Sequence, residues 1–324
     1  MLCSICLYRA ASQKLWAGAT AERLRERLRV GASAGMGASA GIRGKTIHDH
    51  LAAIIVPHAG YYYSGNVAAS AYMAIPEDKA YKRIFLLGPS HHEWLDGASV
   101  NTEADYYATP LGNVKVDHET AMKLTDNSVF SYQPKAHDRE HCLEVQLPFL
   151  QRRFREVPPI VPIIISTNDF RKLKQMAEIL KPYFTDENLF IVSSDFSHYP
   201  SYEDACEVDA LTGKAIETGD VATLIAPIEN NASRGIRNLS TSACGELAII
   251  TLMLMMDGSY EVKHLMYQNS GDIDHGDHNR VVGYHAVAIL RGASQEFTLS
   301  DNEKRTLKEI ALASIKVSLD GKPV

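Results

Sequence analysis

The residues of this chain with chemistry to offer gather at three places where an apolar run stops. His91 and His92 follow the run at 84–87 and its Gly88 and Pro89 in RIFLLGPSHHEW. His58 follows AAIIVP, and Asp195 and His198 follow NLFIVSS. Imidazole nitrogens, carboxylates and thiols are the ligand atoms of transition metals and the acid and base groups of enzymes. Two further segments add candidates. HDREHCLEVQLPFL, residues 137–150, reads as helical, with His141 and Glu144 on one face by their i, i+3 spacing and Glu140 near the positive helix start. STSACGELAIITL reads as the opening of a buried helix, with Ser240 or Thr241 as its cap and Cys244 in its first turn. A thiol placed there tends to have a lowered pKa and to be a good metal ligand. A single histidine at a strand end is more often a satisfied polar residue than a ligand, and Cys244 by position alone reads better as a small core residue. Three strand ends that each carry a histidine point to a pocket. No local motif of the H-E-x-x-H kind joins them, so a hydrogen-bonded pocket and a metallated one both stay open.

The elements that must position these groups are regular from residue 52 onward. The runs at 52–57, 83–88, 160–166 and 188–195 are short, continuously apolar and bounded by turn residues. Helical patterns follow them: SGNVAASAYMAI, RKLKQMAEILKPYF and a stretch beginning near Tyr202. YEVKHLMYQ and VVGYHAVAIL read as late strands. Continuous apolar strands alternating with helices predict an α/β protein, a three-layer α/β/α sandwich around a mainly parallel or mixed sheet. In such sheets ligands bind beyond the carboxyl ends of the strands, where His58, His91, His92, Asp195 and His198 fall.

Three segments follow from this reading. Residues 1–45 form an N-terminal helix (TAERLRERL) and a flexible Gly/Ala/Ser linker, 46–293 the α/β domain, and 294–324 a C-terminal helix. In the last, Ser300 caps, Glu303 stands at capping-box spacing, and Leu307, Ile310, Ala311 and Ile315 form an apolar stripe. Across the 324 residues, 33 basic against 39 acidic side chains leave −6, which argues against a nucleic-acid face. The longest apolar run, ELAIITLMLMM, suits a buried helix rather than a membrane span. Five scattered cysteines are no disulfide framework, so a reducing, cytoplasmic setting is the expectation, and CSIC at 3–6 is incidental. The Arg- and Ser-rich, acid-poor start offers an organelle transit peptide as the alternative.

Taken together, VPHAGYYYSG, LLGPSHH, EHCLEVQLPFL, VSSDFSHY, TSACGELAI and YQNSGDIDHGDHNRVVGYHA resemble the Memo family, in its order and over most of residues 52–290. That family is similar to the catalytic subunits of class III extradiol ring-cleaving dioxygenases, which are non-haem iron enzymes. The resemblance implies a metal-binding set of His58, His91 and Cys244, with Asp195 and His198 beside the metal and His141 lining the same pocket. Where the dioxygenases carry a glutamate, this chain has Cys244. A thiolate is softer, and moves the preference from the iron(II) of those enzymes toward copper, zinc or thiolate-tolerant iron. Glu246 is too close along a helix to Cys244 to point the same way.

Two classes of function follow. One is a metal-dependent redox enzyme, with His198 and His141 as acid, base or hydrogen-bonding groups and Asp195 orienting His198 or tuning the site, acting on an unidentified small molecule or peptide. The other is a non-catalytic module whose cleft, with Tyr61, Tyr62 and Tyr63 at its edge, captures a peptide partner. Hydrolytic zinc chemistry lacks a zincin-type base motif. The tail from residue 297 resembles the opening helix of an Ammecr-type domain, and the resemblance implies Ammecr-type and radical-SAM proteins as partners in a modification system.

Overall fold

The computed structural model of the chain describes residues 7–8, 50–292, 305–306 and 308. The helix expected at 20–28 and the linker lie outside the described residues, as does most of the C-terminal helix, of which 305, 306 and 308 are helical. The chain divides into two compact units, Met1–Arg291 and Gly292–Val324, and everything below concerns the first.

Its centre is an eight-stranded mixed sheet. Four parallel strands form the middle: β2 (Leu51–Val56), β9 (Asn188–Ser193), β3 (Arg83–Pro89) and β8 (Ile160–Ser166), in that spatial order. The hairpin of β10 (Tyr260–Asn269) and β11 (Gly283–Arg291) adds antiparallel to β2. On the far side β4 (Gly97–Val100) runs antiparallel to β8, and β7 (Phe130–Ser131) parallel to β4. A small second sheet pairs β1 (Leu7–Tyr8), β5 (Tyr106–Thr109) and β6 (Gly112–Lys115).

The continuous apolar strands are explained by burial on both faces. Ile54, Val56, Ile84, Leu86 and Ile191 point into one core, with Val67 and Tyr72 of α1 (Tyr61–Met73) and Leu147 and Leu150, which belong to α4 below. Their neighbours Ala53, Ile55, Phe85, Leu87, Phe190 and Val192 point into the other. There they meet Leu173 and Met176 of α5 (Phe170–Leu180) and Ile249 and Leu252 of α8 (Glu246–Met255). Period-two alternation thus feeds two helical layers, which is the three-layer architecture the sequence predicts. The remaining helices are α2 (His118–Thr125), α3 (Pro134–Asp138), α4 (Leu147–Arg153), α6 (Tyr202–Glu217) and α7 (Val221–Ser233).

Two local expectations fail. Residues 137–150 are not one helix: α3 stops at Asp138, and Glu144–Gln146 is a 3₁₀ turn before α4. His141 and Glu144 therefore share no helix face. The reason is local, because the Glu140 carboxylate accepts the N–H groups of His141 and Cys142 and so takes donors a helix would need. Likewise α8 begins at Glu246, with Cys244 ahead of it and neither Ser240 nor Thr241 as cap. The Thr241 hydroxyl closes its own turn on Ala243, while the Cys244 and Gly245 N–H groups go to the Asp195 carbonyl and the Ser194 hydroxyl.

Gly88, near the end of β3, lets the loop at 142–143 lie against the strand. A Cβ there would stand 2.6 Å from Cys142 Sγ and 2.8 Å from Leu143 Cδ2, inside contact distance of a packed core. Gly88→Ala is expected to destabilise the fold by about 1–3 kcal/mol in denaturant unfolding, the cost of overpacking; unchanged stability would mean that the loop yields freely.

Candidate metal centre

The site is assembled at the carboxyl ends of β2, β3 and β9, with Cys244 brought in just before α8. His58 is buried and His91 keeps 28% of its side-chain surface. One ligand atom from each of His58, His91 and Cys244 lies within 4.8 Å of the others. A second group, His91, Glu140 and His141, meets the same limit. The His141 ring stands 5.8 Å from the rings of both His58 and His91, stacked on His91 and edge-on to His58, so the three imidazoles form one cluster.

The hydrogen bonds decide which nitrogen each ring can offer. The Ser193 hydroxyl lies 2.7 Å from the Cys142 carbonyl, which has no hydrogen to give, so Ser193 donates there. Its oxygen then accepts from Gln146 Nε2 at 2.9 Å and from His58 Nδ1 at 2.8 Å. His58 therefore carries its hydrogen on Nδ1, and its bare Nε2 faces Cys244 Sγ at 3.3 Å. Gln146 is fixed in turn, donating to the Pro57 carbonyl and accepting from the Tyr72 hydroxyl on α1. Burial, only partly offset by Asp195, lowers the His58 pKa to about 4, so the ring is neutral at physiological pH.

His91 is held by Glu140. One carboxylate oxygen accepts the His91 N–H at 2.7 Å and the other lies 2.9 Å from His91 Nδ1, so Nε2 is the nitrogen the ring can offer a metal. A carboxylate behind a histidine fixes its tautomer and raises its basicity as a metal ligand. Burial works against ionisation of Glu140, but the His91 ring and the backbone N–H groups outweigh it and bring the carboxyl down to about 2. Burial also lowers the His91 pKa, and the bond to and charge of Glu140 more than reverse that. His141, 3.7 Å from the same carboxylate, is too far for a hydrogen bond, and burial lowers its pKa.

Cys244 departs from expectation. Burial and then the neighbouring Asp195 push its thiol up, so proximity to a helix start does not make it a thiolate in the protein alone. The burial penalty on a charged sulfur exceeds the pull of a few backbone dipoles.

The other predicted residues sort as follows. Asp195 does not orient His198: its carboxylate accepts the N–H groups of His58 at 2.7 Å and Ala59 at 3.2 Å, and its own N–H faces Cys244 Sγ at 3.3 Å. His198 instead puts Nδ1 2.7 Å from the Phe196 carbonyl, and its ring makes no hydrogen bond to the cluster among the described residues. His92 is exposed. Tyr61 is structural, its hydroxyl on the Val145 carbonyl and its ring against Phe149, whereas Tyr62, Tyr63 and Trp94 are exposed. Glu246 turns away to line a separate cavity with Leu247 and Ile250. Glu140 and Ser193 are supporting side chains that sequence reasoning missed: the helical pattern assigned Glu140 a solvated role, and no local pattern singled out Ser193.

A mixed α/β sheet with two tautomer-fixed histidines and a thiol converging at its carboxyl edge defines a protein built around a candidate transition-metal centre. Among known proteins, the Memo-like protein family model matches residues 19–288, and the chain belongs to that family. A MEMO1 family protein of Methanopyrus kandleri is 33% identical over 247 residues, covering 75% of this chain and 84% of its own. Another, from Methanobrevibacter smithii, is 35% identical over 243 residues, covering 73% and 82%. The crystal structure of an uncharacterised Escherichia coli K12 protein superposes with a TM-score of 0.50 at 13% identity, over 72% of this chain and 98% of that one, a likeness of fold.

Glu140→Gln removes the charge that holds the His91 proton. The His91 imidazole, followed by NMR titration in the metal-free protein, is expected to drop in pKa. An unchanged titration would detach His91 from Glu140.

Proposed function

We propose that the chain is a metal-dependent redox protein whose His58 Nε2, His91 Nε2 and Cys244 Sγ hold one iron or copper ion. The observation that supports this reading is the convergence of one ligand atom from each of these three residues, with each histidine Nδ1 already committed, to Ser193 and to Glu140. The donor set fits: two imidazoles and a soft sulfur suit copper, zinc or thiolate-tolerant iron, and three protein ligands leave a position open. Bound iron or copper would supply one-electron chemistry at that position.

The chain's own residues supply the rest. His141, neutral and beside both ligand histidines, can take or return a proton on the solvent side. His198 commits Nδ1 to the Phe196 carbonyl, which can only accept, so Nε2 is the nitrogen through which it would act as acid or base. Asp195 secures the backbone of the His58 loop and raises the proton affinity of Cys244. The exposed Tyr62, Tyr63 and Trp94 favour a second reading, in which the same cleft seats a peptide without turnover.

Metal uptake must displace the Cys244 proton at every physiological pH, and the His91 proton as well below the raised pKa of that ring. Affinity is therefore expected to rise about tenfold per pH unit above the His91 titration and more steeply below it. Anaerobic metal titrations from pH 5.5 to 8.5 check this; a pH-independent affinity would remove Cys244 from the site. Cys244→Ser is expected to lose the sulfur-to-metal charge-transfer band, and oxygen consumption by the iron- or copper-loaded protein that depends on His198 would decide against the binding-only reading.

A further inference from the structure

The turn that carries Asp195 and His198 is gripped from behind by a residue outside the cluster. Asp209, on α6, is fully buried. One of its oxygens accepts the Ser197 N–H at 2.9 Å, and the other accepts the hydroxyls of Ser197 and Tyr267, each at 2.9 Å. None of these partners is a cation. His285 lies close, but its Nε2 donates to the Asp209 backbone carbonyl at 3.0 Å, and its Nδ1 meets His264 Nε2 at 2.8 Å. Burial takes the His285 pKa to about 3 and lowers that of His264, so neither ring is a counter-charge at neutral pH. Burial likewise pushes the Asp209 carboxyl up to about 7 against the three donors. A buried carboxyl without a cation is costly to a fold unless its hydrogen bonds are met, as these three donors meet them.

That geometry is tight. A Cβ at position 283 would lie 1.9 Å from Asp209 Oδ2, so only glycine lets β11 pass the carboxylate. Gly283 then exchanges two backbone bonds with the turn, accepting from Phe196 N–H at 2.8 Å and donating to the Ser197 carbonyl at 2.9 Å. Residues 196 and 197 are pinned between a strand and a carboxylate. The next residues bear the consequence: Tyr199 sits at φ 74°, in a region costly for a bulky side chain, with its N–H on the Val281 carbonyl. Strained backbone persists only where its surroundings over-determine it.

We infer that Asp209 is the positioning residue of the 195–198 turn, its carboxylate acting through Ser197 to set where Asp195 stands beside His58 and Cys244 and where His198 stands in the same turn. It touches neither ligand nor metal. Through Asp195 it fixes the N–H groups of His58 and Ala59 and the backbone that meets Cys244. This role rests on the metal-site reading for its consequence, though not for its geometry.

The test compares Asp209→Ala with Asp209→Asn. The amide can still pair with both hydroxyls, which accept as readily as they donate, while alanine leaves the Ser197 N–H with nothing. In the metal-free alanine variant, the amides of His58, Ala59 and Ser197 should exchange with solvent about tenfold faster, with β2 and β9 still protected. Cobalt(II) affinity should fall about 10-fold or more, with asparagine restoring most of both effects. A folded alanine variant with wild-type exchange at those amides and wild-type cobalt affinity overturns the inference, since a merely structural role would lower stability and spare both. If Asp209→Ala does not fold, Ser197→Ala with Tyr267→Phe removes both hydroxyl partners and is read the same way. A wild-type protein that binds no cobalt overturns the metal reading, and the amide exchange still decides the role of Asp209.

Discussion

A hydroxyl has one hydrogen, and at Ser193 it is already spent. Because the Cys142 carbonyl takes it, the oxygen of Ser193 can only accept, and the hydrogen of His58 is forced onto Nδ1. The same oxygen orders Gln146, which reaches the Pro57 carbonyl and the Tyr72 hydroxyl. A single side chain at the end of β9 thus links the loop at 142, the segment before His58 and helix α1. It also leaves a bare imidazole nitrogen pointed at a thiol. Glu140 does the corresponding work for His91 with charge in place of a neutral acceptor. The two histidines accordingly differ: His58 stays neutral well into acid, whereas His91 holds its proton more strongly than a free imidazole.

The sheet explains why these supports are affordable. Four parallel strands buried on both faces supply apolar contact on two sides, and the polar groups are confined to their carboxyl ends. There the backbone leaves the sheet and its donors and acceptors need partners. Asp195, Ser193, Ser194 and Ser197 satisfy that need while placing the site. Cys244 reaches the cluster because its own N–H and that of Gly245 bond to the end of β9 before α8 begins.

How much of this could be read from the residues alone differs from element to element. The central strands and the three-layer class were legible, since burial on both faces leaves a continuous apolar run that few other arrangements produce. His58, His91 and Cys244 could be grouped only by their resemblance to a family, because 186 residues separate the first from the last and no periodicity spans such a distance. Glu140 was hidden by a helical pattern that its own side chain interrupts. The pKa direction of Cys244 was misjudged because closeness to a helix start is visible in sequence and burial is not. For Asp195 the sequence offered its neighbour His198 or a tuning role without a named partner, while the sheet register brings His58 across from a strand 137 residues away.

The proposed centre requires two nitrogens and one sulfur to share a metal. A crystal structure of the iron- or zinc-loaded protein, with the metal located by anomalous scattering, tests it most directly. The expected result is one ion bonded to Nε2 of His58 and Nε2 of His91 at about 2.0–2.1 Å and to Cys244 Sγ at about 2.3 Å, with each Nδ1 still on Ser193 and on Glu140. An ion bound through either Nδ1, or elsewhere with Cys244 left as a free thiol, would contradict it.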